Sequence, residues 1–189
     1  MKVSRVRIAS EIGLTIALSA VLGMLTVWQM PQGGSISFVM LPLFVLALLR
    51  GPAVGLGAGA LYGIVDYMLK PYWFHAVQVV LDYPIAFAAC GLAGLFAVRF
   101  ASLSRDRRWG AALWTAIVPG IAVGAAGRYL AHVLSGLVFF SSYAVEAGQA
   151  PLVYSLAYNS FVLVSAAASA VVAAAVLPVL QRQFATGER

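Results

Sequence analysis

Apolar residues fill this chain in long runs, and the polar positions that interrupt them fall into short clusters. Windows of about 20 residues, enough to cross a hydrocarbon core roughly 30 Å thick, pick out six apolar segments. They cover approximately residues 8–27, 35–49, 52–69, 77–96, 111–139 and 152–179. The second is short, so it is expected to tilt, to lie partly behind other helices, or to begin early, near Ser35. The fifth is long and carries Pro119, which permits a kink or a tilt. The longest polar connections are 101–108 and 141–150. The basic start, residues 1–10, leads into an apolar stretch of full membrane length, unlike a cleavable signal. With no internal repeat and no polar domain, the pattern predicts an all-α membrane protein. It has six transmembrane helices in one integral membrane domain, residues 1–189.

Composition agrees. The chain is 62% apolar and 10% charged, and its mean hydropathy is +0.94. A soluble domain is about half apolar and about a quarter charged, and a chain this small cannot hide the excess inside a globule. A soluble enzyme, a disordered chain and a disulfide scaffold are excluded. The single cysteine, Cys90, can form no internal disulfide and reads as a small core residue.

The net charge of +6 would suggest nucleic acid if it formed one patch. Its distribution says otherwise. With a cytoplasmic N-terminus, the cytoplasmic side receives Lys2, Arg5, Arg7, Arg50, Arg99, Arg105, Arg107, Arg108, Arg182 and Arg189. The other side receives Lys70 alone, and Arg128 remains within a span. That asymmetry predicts that both termini are cytoplasmic. The charge is an orientation device, and no nucleic-acid partner is expected.

Polar groups within spans are costly and usually paired or functional. Here they are Glu11, Asp66, Asp82, Arg128, His132 and Asn159, with Gln78 near a helix start. Glu11 reads as an interfacial residue paired with Arg7, four positions earlier. The others come from four spans, yet in the predicted topology all fall in the outer half of the membrane, together with Tyr62, Tyr67 and Tyr154. Arg128, His132 and Gly136 repeat at intervals of four and form one helical stripe, in which the glycine leaves room for a ring. Tyr154 and Asn159 lie about 140° apart around a helix and flank a pocket.

Aromatic residues crowd the same rim: Tyr72, Trp73, Phe74, Tyr83, Phe139, Phe140 and Tyr143. Trp73 and Phe74 read as an interfacial belt, and Asp82 with Arg128 has a purely structural reading as a buried ion pair. His75 and His132 lack the neighbours of a metal site, and no hydrolase or ATP-binding motif is present. Neither a cofactor nor a metal is expected, and the chain does not read as an enzyme. A carboxylate among hydrogen-bonding groups and aromatic rings suits a small, flat ligand, and a cationic one especially. Small residues at Gly13 and Ala17, and in 55–63 and 166–175, permit close helix packing. In the third and sixth spans this is expected to be internal. On the first it can also dock another membrane protein.

Three blocks carry a resemblance. They are Pro71-Tyr72-Trp73-Phe74-His75-Ala76-Val77-Gln78-Val79-Val80-Leu81-Asp82-Tyr83-Pro84, Gly33-Gly34-Ser35-Ile36-Ser37, and Tyr154-Ser155-Leu156-Ala157-Tyr158-Asn159. In order and spacing, over about residues 8–180, the chain resembles the ThiT-type (YuaJ) thiamine-binding S components of energy-coupling-factor (ECF) transporters. The resemblance implies six helices, cytoplasmic termini, a location in the cell membrane, and a thiamine pocket open to the outside. It also implies association with a transmembrane coupling protein and two ATPase subunits, docked through Gly13 and Ala17.

The family's pocket positions fall on Asp82, Tyr83, Arg128, His132, Gly136, Tyr154 and Asn159, with Phe140 as the ring-stacking position and Tyr62 and Tyr72 as further aromatics. The first outer loop, residues 31–36, is the expected lid. The chain departs from some members in having Phe140 for Trp, Asp82 for Glu, and Gly33-Gly34 where a loop Trp stands. A smaller ring stacks less, and a shorter carboxylate reaches less far. A thiamine precursor or another small heterocycle is therefore an alternative ligand. An ion-coupled secondary transporter relaying protons through Asp82, Arg128 and His132 is the reading from another class.

Overall fold

The computed structural model describes residues 4–31 and 33–186, with side chains through 181. Lys2 and Arg189, two of the basic residues counted above, lie outside the described residues. Helix α1 (Arg5–Met24) starts at Ser4, whose hydroxyl accepts the Arg7 N–H at 3.2 Å, the usual N-cap arrangement. The first apolar segment was expected to run to residue 27, but the helix stops at Met24. The chain then turns into a small antiparallel hairpin, β1 (Trp28–Gln29) with β2 (Ser35–Ile36).

Among the described residues, five stretches are long and apolar enough to cross a membrane. They are α1, α3 (Pro52–Leu69), α4 (Ala76–Arg105), α5 (Trp109–Phe139) and the run Pro151–Gln181, which bends between α7 (Pro151–Tyr158) and α8 (Phe161–Thr186). A short α6 (Ser141–Glu146) joins α5 to α7. The second expected span is not among the five. Helix α2 (Leu41–Arg50) has ten residues, about 15 Å of helix. It lies behind the other helices, with Leu43, Phe44, Ala47 and Leu48 at most 1% exposed, packed against α1, α3, α4 and α8. Ser35, where this segment was expected to begin, belongs to the hairpin.

Close packing replaces hydrophobic burial as the cohesive force between helices in lipid. The glycines of α3 show how. At Gly59 a Cβ would collide with the Phe87 carbonyl, at Gly63 with that of Tyr83, and at Gly55 with Ala47 and Gly91. This stripe at intervals of four lets α3 lie backbone to backbone on α4. Gly51, at φ +90°, turns α2 directly into α3, a conformation that costs residues with a Cβ. Cys90 is fully buried in this core, as expected.

Helix α4 is not uniform. Pro84 has no N–H to offer the carbonyl of Val80, and the backbone widens there so that the Ala86 N–H reaches Leu81 O, five residues back. A tighter turn follows, in which the Ala97 N–H reaches Gly94 O, three residues back. Single wide turns of this kind frequently mark functional sites, and this one carries Asp82 and Tyr83.

The opposite end of the bundle holds the charges. Glu11 accepts Arg50 through Nε at 2.6 Å and Nη2 at 2.7 Å, and Arg7 through Nε at 3.2 Å. The expected pairing with Arg7 is present, and the shorter contacts join α1 to α2.

Candidate functional site

At the end where α3 leads into α4, the hairpin and helices α1 and α3–α8 surround one cavity. About 960 Å³ of space lies free of protein atoms there, the open mouth included. The structure brings Tyr72, Asp82, Tyr83, Arg128, His132, Gly136, Phe140, Tyr154 and Asn159 to its lining.

Asp82 is the best-held group. Its Oδ2 accepts Gln78 Nε2 at 2.8 Å and Ser135 Oγ at 2.9 Å, and its Oδ1 lies 3.0 Å from His132 Nδ1. Gln78 is itself fixed, because its Oε1 accepts the Phe74 N–H at 3.1 Å, which turns its amide nitrogen toward Asp82. Among the described residues these three are the hydrogen-bond partners of Asp82. The direct pair with Arg128 is not formed, because His132 stands between them. Arg128 Nε donates to His132 Nε2 at 3.3 Å, and its guanidinium lies 3.9 Å from the centre of the Phe87 ring.

Asn159 sits at the bend between α7 and α8. Irregular backbone at membrane depth is tolerated where it is buried or lines a cavity. Its Nδ2 donates to Ser155 O at 2.9 Å and to His132 O at 3.3 Å, which leaves Oδ1 as an acceptor at the cavity wall. Gly136 serves a different purpose from the one its stripe suggested. A Cβ there would collide with Ser155 Oγ, so the missing side chain admits α7, and the space expected for a ring is already filled.

Rings form the mouth. Phe140 contacts Phe74 at 5.4 Å, Tyr72 at 5.9 Å and Tyr143 at 6.2 Å between centroids. Tyr154 and Tyr158 stack at 6.0 Å. The Tyr83 hydroxyl donates to Lys70 O and accepts the Tyr72 N–H, both at 2.9 Å, and so pins the connection from α3 to α4. Burial and the neighbouring Tyr143 hydroxyl push the Tyr72 phenol up to about 12, so it stays neutral. Trp73 and Phe74 are more than half exposed.

The hairpin borders the cavity at Ser35 and through bare backbone at Gly33 and Gly34. Gly33, at φ +93°, lies on the Tyr72 ring, and a Cβ at Gly34 would come within 2.6 Å of the Phe161 ring. Glycines therefore make the contact where an aromatic side chain was missed in the sequence.

Tyr62 does not line the cavity. It is fully buried behind the wall, edge-on to Phe87, and donates to Asp66 Oδ1 at 2.9 Å. Asp66 does line it, as do Lys70, Gln78, Ser135, Tyr143, Ser155, Tyr158 and Phe161, none of which the sequence reading placed in the pocket. Helical spacing held part of that signal. Gln78 lies four before Asp82, Ser135 three after His132, and Lys70 four after Asp66.

Comparison with known proteins agrees with this architecture. Residues 9–186 match the family described as Thiamine transporter protein (Thia_YuaJ). A Bacillus subtilis (strain 168) protein, Thiamine transporter ThiT, is 39% identical over 162 residues, 84% of this chain and 81% of that protein. The Thiamine transporter ThiT of Lacticaseibacillus paracasei is 34% identical over 128 residues, 66% of this chain and 63% of that protein. The solved structure of ThiT from Listeria monocytogenes shares the fold, with a TM-score of 0.80 over 95% of each chain at 24% identity. Five membrane-long apolar helices and these relatives mark a multi-pass protein of the cell membrane, and not an enzyme. The chain belongs to the thiamine transporter family.

Proposed function

We propose that this protein is the substrate-binding S component of an ECF-type importer and takes thiamine from outside the cell. A single observation carries the reading: a ring-lined cavity around a carboxylate that, among the described residues, Gln78, Ser135 and His132 hold. Thiamine is a cation of two flat aromatic rings joined by a methylene group. Its rings stack on Phe140 and the tyrosines Tyr72, Tyr83 and Tyr154, and its positive charge is balanced by Asp82. Its amine donates to Asn159 Oδ1. Arg128, His132 and Gly136 complete the wall, and the hairpin closes over the ligand.

The single membrane domain crosses six times, with α2 as the short second crossing and both termini in the cytoplasm. The split of basic residues supports that orientation. Uptake is driven by ATP through a partner coupling protein and two ATPase subunits. Gly13 and Ala17 support the docking role, since both are exposed on α1 and a Cβ at Gly13 would meet none of the described residues of other elements within 4 Å.

Calorimetry of the purified protein with thiamine tests the site. Asp82→Asn and Asn159→Ala should each weaken binding while leaving the helical circular dichroism unchanged, and parental affinity in both would refute the assignment. Competition with thiamine phosphates, the pyrimidine moiety and riboflavin separates thiamine from related heterocycles. An ion-coupled carrier is the second reading, favoured by the continuous chain Asp82–His132–Arg128. It predicts gradient-driven uptake into vesicles by this protein alone, whereas an S component takes up nothing without its partners.

A further inference from the structure

Arg128 is 7% exposed, and its Nη1 is buried with no hydrogen-bond partner. Burying a cation with an unsatisfied donor is costly, so its presence in the wall calls for an explanation. The contact it does make is directional. A guanidinium has donors and no acceptor, so Nε–H donates and His132 Nε2 must accept. A ring nitrogen that accepts carries no proton. The one imidazole proton is therefore on Nδ1 and is donated to Asp82 Oδ1, 3.0 Å away.

We infer that Arg128 is a positioning residue that acts through His132, locking it as the neutral Nδ1–H tautomer so that Asp82 keeps its full negative charge for a cationic ligand. A protonated His132 would place a cation on Asp82 and a second N–H against the Arg128 N–H. The other donors to Asp82, Gln78 and Ser135, are neutral, so the carboxylate is oriented on every side and compensated on none. Around His132 the charged groups are Arg128 on its own helix, Asp82 on α4, and Asp66 on α3 with Lys70 just beyond. From α8 it meets only the Phe161 ring, at 5.8 Å, and from α7 Asn159 bonds its backbone carbonyl. The inference rests on the cationic-ligand reading only for the use made of that charge. The tautomer itself is independent of any ligand.

Two histidines in the chain make the test direct. His75 Nδ1 accepts the Val77 N–H, so its proton sits on Nε2 and provides an internal contrast. Long-range proton–nitrogen correlation on purified, histidine-labelled protein without ligand, at pH 7.5, should show Nδ1–H on His132, with His75→Gln identifying the signals. In Arg128→Met nothing donates to Nε2 any longer, so the same spectrum should show a mixture of Nδ1–H and Nε2–H forms of His132. Thiamine binding by that variant at pH 7.5 should weaken several-fold. Arg128→Lys should restore the parental tautomer and affinity. A parental His132 with its proton on Nε2, or on both nitrogens at pH 7.5, overturns the inference. So does an Arg128→Met protein that matches the parent in tautomer and thiamine affinity. If Arg128→Met does not fold, the parental spectrum and Arg128→Lys decide. The Nδ1–H tautomer in a protein that binds no thiamine supports the lock and refutes the ligand reading.

Discussion

Glu11 and Asp82 are both part-buried carboxylates on apolar helices, at opposite ends of the bundle, and their surroundings differ in kind. Glu11 meets the cations Arg50 and Arg7, so its charge is matched within the protein and ties α1 to α2. Asp82 meets an amide, a hydroxyl and an imidazole nitrogen, which satisfy its lone pairs and supply no fixed positive charge. A buried ion pair holds helices in register. A carboxylate solvated by neutral dipoles is prepared for a charge that arrives from outside. The same functional group is thus matched by cations at one end and, on the proposed reading, serves recognition at the other.

Exchanging charge for neutrality at each end breaks the comparison most severely. Asp82→Asn should cost about 2–5 kcal/mol of thiamine binding, the usual loss for a buried charge partner, whereas Glu11→Gln should leave affinity within about twofold. Calorimetry on both reads the difference, and equal losses would abolish the distinction. Gly136→Ala should come next. Its new methyl collides with Ser155, and overpacking of this kind costs about 1–3 kcal/mol. It should push α7 and Asn159 away from α5, lowering affinity about tenfold together with thermal stability.

At the other end, Arg50→Gln removes the two shorter contacts to Glu11 and leaves, among the described residues, that of Arg7. It should lower the unfolding midpoint in detergent, for a loss of about 1–2 kcal/mol, without changing thiamine affinity. A loss of affinity there would mean that the two ends are coupled. The smallest change sharpens the recognition side: Phe140→Trp enlarges the stacking face and should tighten binding by about 0.5–1 kcal/mol, read as a several-fold slower dissociation of thiamine.

Much of this was legible in the sequence. Runs of apolar residues define the spans because a lipid-exposed backbone must satisfy its own hydrogen bonds, and that constraint is local. Asp82, Arg128, His132 and Asn159 stood out because ionisable and amide groups are expensive within such runs. Their meeting at one depth followed from counting residues along alternating helices. The small-residue stripe of α3 likewise announced a close helix contact.

Only the tertiary structure decided what each group faces. No periodicity places His132 between Arg128 and Asp82, because that order depends on how α4 and α5 are rotated against each other. Nor does it show that Gly136 admits Ser155, that Tyr62 lies behind the wall, or that Gly33 and Gly34 border the cavity through their backbone. The wide turn at Pro84 and the ten-residue α2 also depend on neighbours that compensate them. Membrane solvation acts on each segment separately and can be read from the chain. Pairing, rotation and close approach belong to several segments at once, and the folded bundle settles them.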